Sequence, residues 1–321
     1  MPAAPSSDLR RRPVGVFDSG VGGLTVLHEL LVALPHEDFL YLGDTARFPY
    51  GTRPPEEVRG FALQVAEELV HRGAKLLVVA CNTLASEALA VLMERFAGRG
   101  EPDPVDIIAV VVPESQEAVV ATRSGRVGLL ATPGTVASGA YERALHAADP
   151  HIRLTSVACP DLAPIIQGGF PFDQEVLDTV RAYCRPLKEA EVDTVILGCT
   201  HYPLVRPMLQ RMLGPQVRLI TAGAAIARRV ECALSASGMD SPNEGEGDYR
   251  FLCTGDGEAF RAAGTRFLQL PVGEVTHVDL GGTQEALALS ASISVGGGSP
   301  ASAPSPSASP STIAPWAEAP R

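Results

Sequence analysis

Short runs of apolar, often β-branched residues alternate along this chain with longer stretches whose apolar positions recur every three or four residues. Val14 to Phe17, Phe39 to Leu42 and Leu76 to Ala80 are dominated by apolar residues, the pattern of strands covered on both faces. Leu24 to Leu34 carries its leucines at helical spacing and predicts an amphipathic helix. Pro54 to His71 predicts another, with proline at its start and Glu56 and Glu57 in the first turn, where the helix dipole favours acidic groups. Strands and helices alternating at this pace predict an α/β fold with open, mostly parallel sheets.

The pattern also repeats. Val14-Gly15-Val16-Phe17-Asp18-Ser19-Gly20 resembles Val127-Gly128-Leu129-Leu130-Ala131-Thr132-Pro133-Gly134, and Val78-Val79-Ala80-Cys81-Asn82-Thr83 resembles Ile196-Leu197-Gly198-Cys199-Thr200-His201. The two offsets, 128 − 15 = 113 and 199 − 81 = 118, nearly agree. Two pseudo-symmetric α/β lobes are therefore expected, one from residues 14–104 with 218–285 and the other from 105–217. Residues 1–13 are rich in Pro, Ser and Arg and are expected to fray; 286–321, mostly Ser, Pro, Ala and Gly, are expected to be a disordered tail. Open α/β sheets bind ligands beyond the carboxyl ends of their strands. Facing lobes would then direct Cys81 and Cys199 into one cleft.

Composition narrows the function classes. With 26 basic against 37 acidic residues the 321-residue chain carries a net charge of −11, so no cationic field is available to grip nucleic acid. The Arg10-Arg11-Arg12 run reads as a solvated tail. The longest apolar stretches, such as Ile107 to Val112, fall far short of the roughly 20 residues that span a bilayer. The N-terminus lacks the apolar core of a secretion signal, so a cytoplasmic protein is expected. Six cysteines, at 81, 159, 184, 199, 232 and 253, show no C-x-x-C pair and fit neither a disulfide framework nor a zinc knuckle.

Cys81 and Cys199 stand apart because each closes a predicted strand and is followed by Asn-Thr or Thr-His. Such a site, rich in polar groups, is expected to lower a thiol's pKa and make it a usable base. Two thiols facing each other suggest proton removal from one face of a carbon and delivery to the other, with Asn82, Thr83, Thr200 and backbone amides stabilising the carbanion. The competing route through a pyridoxal phosphate Schiff base needs a lysine. The chain has only Lys75, just before a strand, and Lys188, in an acidic helical run. The seven histidines form no ligand pair at i, i+4 with a nearby carboxylate, so no metal is expected. The loop Asp18-Ser19-Gly20-Val21-Gly22-Gly23 suits an anion or a plain tight turn; its aspartate suits an ammonium group or a proton relay better than a phosphate.

These residues resemble those of the glutamate racemases, in the cofactor-independent aspartate/glutamate racemase superfamily. The resemblance rests on Gly15 to Val26, Tyr41 to Gly51, Ala80-Cys81-Asn82-Thr83 and Leu197 to Leu204, supported by Ala131 to Thr135 with Ser138 and Tyr141, and by Thr254-Gly255-Asp256 with Phe260. It covers about residues 14 to 270 and implies two α/β domains with the active site between them. The implied reaction is interconversion of L- and D-glutamate for peptidoglycan synthesis, without a cofactor. Cys81 is implied as the acid/base on the D-face and Cys199 on the L-face, with Asp18 and His201 as catalytic helpers and Asp44 as a weaker candidate. Substrate contacts carry over to Asp18, Ser19, Tyr50, Gly51, Asn82, Thr83, Thr200 and His201. A homodimer is also implied. The chain departs from the family pattern at Gln167, where glutamate is usual, and at Thr221, within a stretch that commonly has Asp-Ser. Racemisation of aspartate or another amino acid is the alternative within enzymes. A regulatory protein retaining the scaffold, such as an inhibitor of DNA gyrase, is the alternative outside them.

Overall fold

The computed structural model describes residues 6–96, 105–170 and 173–294. The chain enters through a single helical turn, α1 (Ser7–Arg10), capped by the Ser6 hydroxyl. It continues through β1 (Val14–Asp18), α2 (Leu24–Ala33), β2 (Phe39–Gly43), α3 (Pro55–His71) and β3 (Leu76–Val79). Two short helices, α4 (Asn82–Glu87) and α5 (Leu89–Phe96), precede β4 (Asp106–Ala109) and α6 (Val111–Ala121). The second half of the repeat runs through β5 (Arg126–Ala131), α7 (Pro133–Ala137), α8 (Ala140–Ala148), β6 (Arg153–Ala158), α9 (Leu162–Gln167) and α10 (Gln174–Glu189). Then come β7 (Thr194–Gly198), a 3-10 turn at Tyr202–Val205, α11 (Arg206–Leu213), β8 (Arg218–Ile220) and α12 (Ala222–Ser237). The chain returns through β9 (Tyr249–Cys253), α13 (Gly257–Leu268), β10 (Val275–His277) and α14 (Thr283–Ser294).

All strand pairs are parallel. One sheet has the order β10-β9-β2-β1-β3-β4 and the other β6-β5-β7-β8. The run β2-β1-β3-β4 thus has its counterpart in β6-β5-β7-β8, which gives the sequence repeat a structural meaning: β1 answers β5, and β3 answers β7. Every residue of β1, β2, β3 and β7 is buried, as befits central parallel strands covered by helices. The helices follow the expected chemistry. Pro54 and Pro55 open α3, and Val58, Phe61, Ala62, Val65 and Leu69 form its buried stripe. Thr132 caps α7 and Asp256 caps α13 through side-chain oxygens.

Four boundaries differ from the sequence reading. β4 pairs with β3 and β8 with β7, so each lies one strand across the divisions expected at 104/105 and 217/218. Their sequences carry no mark of which sheet they join. Residues 6–13 are pinned rather than frayed: Arg10 Nε donates to the Asp240 carbonyl at 2.9 Å, Arg11 to Asn243 at 3.1 Å, and Lys75 Nζ to the Arg10 carbonyl at 2.6 Å. Arg10 is half-buried, against the solvated reading, whereas Arg11 and Arg12 are exposed as that reading expected. Residues 286–294, expected to belong to a disordered tail, lie in α14, which packs along α3 with Ala286 fully buried. Residues 1–5 and 295–321, also expected to lack order, lie outside the described residues.

Candidate active site

The carboxyl ends of β1, β3 and β7 deliver Asp18, Cys81 and Cys199 to one place. Cys81 and Cys199 line a single cavity of about 20 Å³, room for no more than a water or two. The first lobe contributes Ser19, Tyr50, Gly51, Asn82 and Thr83 to its wall, and the second Thr132, Thr200 and His201. Asp18 lies beneath the wall, fully buried. The two cysteines, Asp18, His201 and the expected substrate-contact residues therefore gather at one site, with Asp44 set further back.

Two glycines let the lobes approach this closely. A methyl group at Gly22 would sit 2.3 Å from Thr200 Oγ1 and 2.5 Å from His201 Nδ1, and one at Gly51 would sit 2.5 Å from Thr132 Cβ. The glycine loop after β1 thus serves lobe closure, a role that its spacing alone left open.

Each thiol has its own polar arm. Cys81 Sγ donates to Ser19 Oγ at 3.6 Å, and the Ser19 hydroxyl donates to Asp18 Oδ1 at 3.5 Å. Asp18 Oδ1 also accepts the Gly20 amide at 2.8 Å, while Oδ2 accepts the Thr200 hydroxyl from the other lobe at 3.1 Å. Burial pushes the Asp18 carboxyl up to about 6, against the lowering effect of these donors. Cys199 Sγ lies 3.8 Å from His201 Nδ1, and His201 Nε2 lies 2.9 Å from Gln167 Oε1. Burial holds the imidazole down at about 3, so it is neutral.

The thiol pKa values correct the sequence reading. Burial pushes Cys81 up to about 12, helped by the Asp18 charge, and raises Cys199 well above its ordinary value. The polar neighbours were legible in the sequence; the exclusion of water, which outweighs them, was not. At neutral pH both groups are thiols, and a proton acceptor must accompany either one into action.

Three features were missed. Thr83 meets Thr132 at 3.0 Å and Thr135 at 3.3 Å across the lobes, and Thr132 and Thr135 meet at 3.0 Å within the second. The Ala131-Thr132-Pro133-Gly134-Thr135 motif held that signal. Asn82 Nδ2 donates to Glu114 Oε2 at 2.9 Å and approaches Tyr141 Oη at 2.6 Å, and the Tyr141 hydroxyl donates to Glu114 Oε2. Burial pushes Glu114 up to about 8. The third is Gln167, noted in sequence only as a departure. Asp44 stands behind the wall, where it accepts from the Tyr50 hydroxyl, pairs with Arg47 at 2.6 Å and accepts from Thr254 at 2.6 Å; it braces Tyr50. Thr221 stands at the start of α12 without a side-chain capping bond. Lys75 is tied to Glu37 at 2.6 Å. Among the described residues no group of three His, Cys, Asp or Glu is placed to hold a metal ion, and no helix is long and apolar enough to cross a membrane.

The chain is a doubled parallel α/β scaffold with one thiol from each lobe on a shared cavity, and the proteins it matches are racemases. Residues 24–230 match the Asp/Glu/Hydantoin racemase family. The chain is 39% identical over 274 residues to the glutamate racemase of Geobacter metallireducens, covering 85% of this chain and 99% of that protein. Among solved structures it resembles glutamate racemase isoform RacE1 of Bacillus anthracis, with 36% identity and a TM-score of 0.79 over 84% of this chain and 98% of that one. It also resembles the Francisella tularensis glutamate racemase solved with D-glutamate, with 31% identity and a TM-score of 0.77 over 84% and 98%. The chain belongs to the Asp/Glu/Hydantoin racemase family and is an isomerase.

Proposed function

We propose that this protein interconverts L- and D-glutamate by moving a proton between two thiols on opposite faces of the α-carbon, and so supplies D-glutamate for peptidoglycan in the cytoplasm. The observation that carries the reading is that Cys81 and Cys199, from corresponding strand ends of the two lobes, line the same cavity. Relatives that are glutamate racemases, one of them solved with D-glutamate, support glutamate as substrate.

In the direction from L to D, Cys199 passes its proton to His201 and the resulting thiolate removes the α-proton. Cys81 then donates its own proton to the opposite face. In reverse, Cys81 loses its proton through Ser19 towards Asp18. None of the described residues lining the cavity is Lys or Arg. The substrate carboxylates are therefore held by hydroxyls, amides and backbone N–H groups, with the Thr83–Thr132 pair spanning both lobes. Asp18 is the buried negative charge nearest the thiols and suits the substrate ammonium. A homodimer belongs to the same reading, and a sedimentation mass of one chain would remove it.

Incubation with L-glutamate in deuterated water, with nothing else added, should place deuterium at the α-carbon and bring optical rotation to zero. Cys81→Ala and Cys199→Ala should each lower racemisation by at least about a thousandfold. Normal turnover in either variant refutes the two-thiol scheme, and faster racemisation of aspartate than glutamate refutes the substrate.

A further inference from the structure

Asn82 follows Cys81 directly, opens α4 and lines the cavity beside both thiols, yet its amide is held from the other lobe. Its Nδ2 donates to Glu114 Oε2 at 2.9 Å and to Tyr141 Oη at 2.6 Å. The Tyr141 hydroxyl gives its own hydrogen to the same Glu114 oxygen. All three residues are buried, at 3% exposure for Asn82, 0% for Glu114 and 1% for Tyr141. At the opposite end of the amide, Asn82 Oδ1 is buried and has no hydrogen-bond partner.

This ring of three groups decides which way the amide faces. The single hydrogen of Tyr141 is on Glu114, so towards Asn82 both Tyr141 Oη and Glu114 Oε2 only accept. The amide nitrogen has two hydrogens, one for each. Turned over, the amide would set Oδ1 against two acceptors. Glu114 Oε2 plays this part whether the carboxyl is ionised or carries its proton on Oε1, which has no partner of its own. A buried acceptor left bare is costly, and so is a carboxyl that burial drives up to about 8. Two such costs beside the thiols mark a functional arrangement.

We propose that Glu114 is a positioning residue for the substrate: with Tyr141 it occupies both N–H groups of Asn82, so that the amide offers the cavity its carbonyl oxygen, an acceptor for the ammonium of an amino acid. The ammonium is the donor such a substrate brings; its carboxylates only accept, and Oδ1 disfavours them. Asn82 thereby separates an amino acid from a plain dicarboxylate of the same length. Glu114 itself touches no reacting atom and acts through Asn82. The proposal rests on the reading of glutamate as substrate for its ligand, but the orientation of the amide can be measured without turnover.

The chain has two asparagines, Asn82 and Asn243, so the full protein labelled with 15N-asparagine shows two side-chain NH2 pairs, told apart by Asn243→Ser. In the wild type the Asn82 hydrogens should exchange with solvent at least about tenfold more slowly than those of Asn243. Glu114→Leu, of similar size but without an acceptor, should quicken that exchange and raise KM for glutamate about tenfold, with kcat within about threefold of wild type. Glutarate, which has both carboxylates and no ammonium, should inhibit this variant and the wild type equally, within about twofold. Glu114→Gln, whose amide oxygen can stand in for Oε2, should recover the slow exchange and the lower KM. Asn82 hydrogens that exchange as fast as those of Asn243 in the wild type overturn the proposal. So do unchanged exchange in Glu114→Leu, or glutarate and glutamate weakened alike. The slow exchange and its loss in Glu114→Leu, in a protein that does not racemise glutamate, would uphold the positioning and refute the glutamate reading alone.

Discussion

Cys81 is 6% exposed and Cys199 7%, and this scarcity of water governs the chemistry of individual groups. A thiol held near 12 is ionised in only about one molecule in 100,000 at pH 7. Proton removal from a thiol must therefore be coupled to an acceptor within reach. In the proposed reaction that acceptor, for Cys81, is Asp18 through Ser19, and Asp18 can serve only while ionised. Below about pH 6 it takes up a proton, so kcat/KM should fall with an acid limb near that value. Asp18→Asn should lose about a hundredfold in rate and the limb with it; a profile from pH 4.5 to 9 reads both. The thiols, Asp18 and His201 were legible because each follows an apolar run that ends in a motif. Ser19 as intermediary was not, since nothing in Asp18-Ser19-Gly20 says which hydroxyl faces a cysteine 62 residues on. The direction of the thiol shifts was also hidden, because depth is a property of the closed molecule.

Strands and helices were largely foreseen where local pattern decides them. β1, β2, β3 and the helices α2 and α3 lie within a residue of the stretches read from apolar spacing. Sheet membership was not foreseen for β4 and β8, because Asp106–Ala109 and Arg218–Ile220 look alike as short strands and only their partners separate them. Composition misled at the other end of the chain. The small residues of α14 look like tail, yet smallness is what lets the helix lie close to α3, where a methyl at Gly60 would strike the Ala286 carbonyl at 2.2 Å. Ala286→Asp would bury an unpaired charge in that seam, with an expected loss of roughly 3 kcal/mol. Urea unfolding measures it, and a change below about 0.5 kcal/mol would show that α14 adds little to stability.

Across the whole molecule, the lobes are tied by Asp18 to Thr200, Thr83 to Thr132, and Asn82 to Glu114. Glu114 gives the last tie a pH signature. Its pKa rises from the ordinary 4.5 to about 8 on folding, so the folded state binds the extra proton. The stability this proton confers is complete below pH 4.5 and is lost as pH climbs through about 8, at up to about 1.4 kcal/mol per pH unit. His201 runs the other way between about 3 and 6.5, so the informative quantity is the difference between proteins. Glu114→Gln should gain stability over wild type by a few kcal/mol from pH 5 to pH 8.5; parallel curves would remove the assignment. The lobes themselves share a strand order, but the two arms beside the thiols are chemically unlike: a carboxylate behind a hydroxyl on one side, an amide behind an uncharged imidazole on the other. Mirror-image substrates have equal free energies in water, and detailed balance lets no catalyst favour one of them. The difference between the arms must therefore cancel in kcat/KM, and can surface only in how fully each enantiomer saturates the protein and how fast the filled complex turns over.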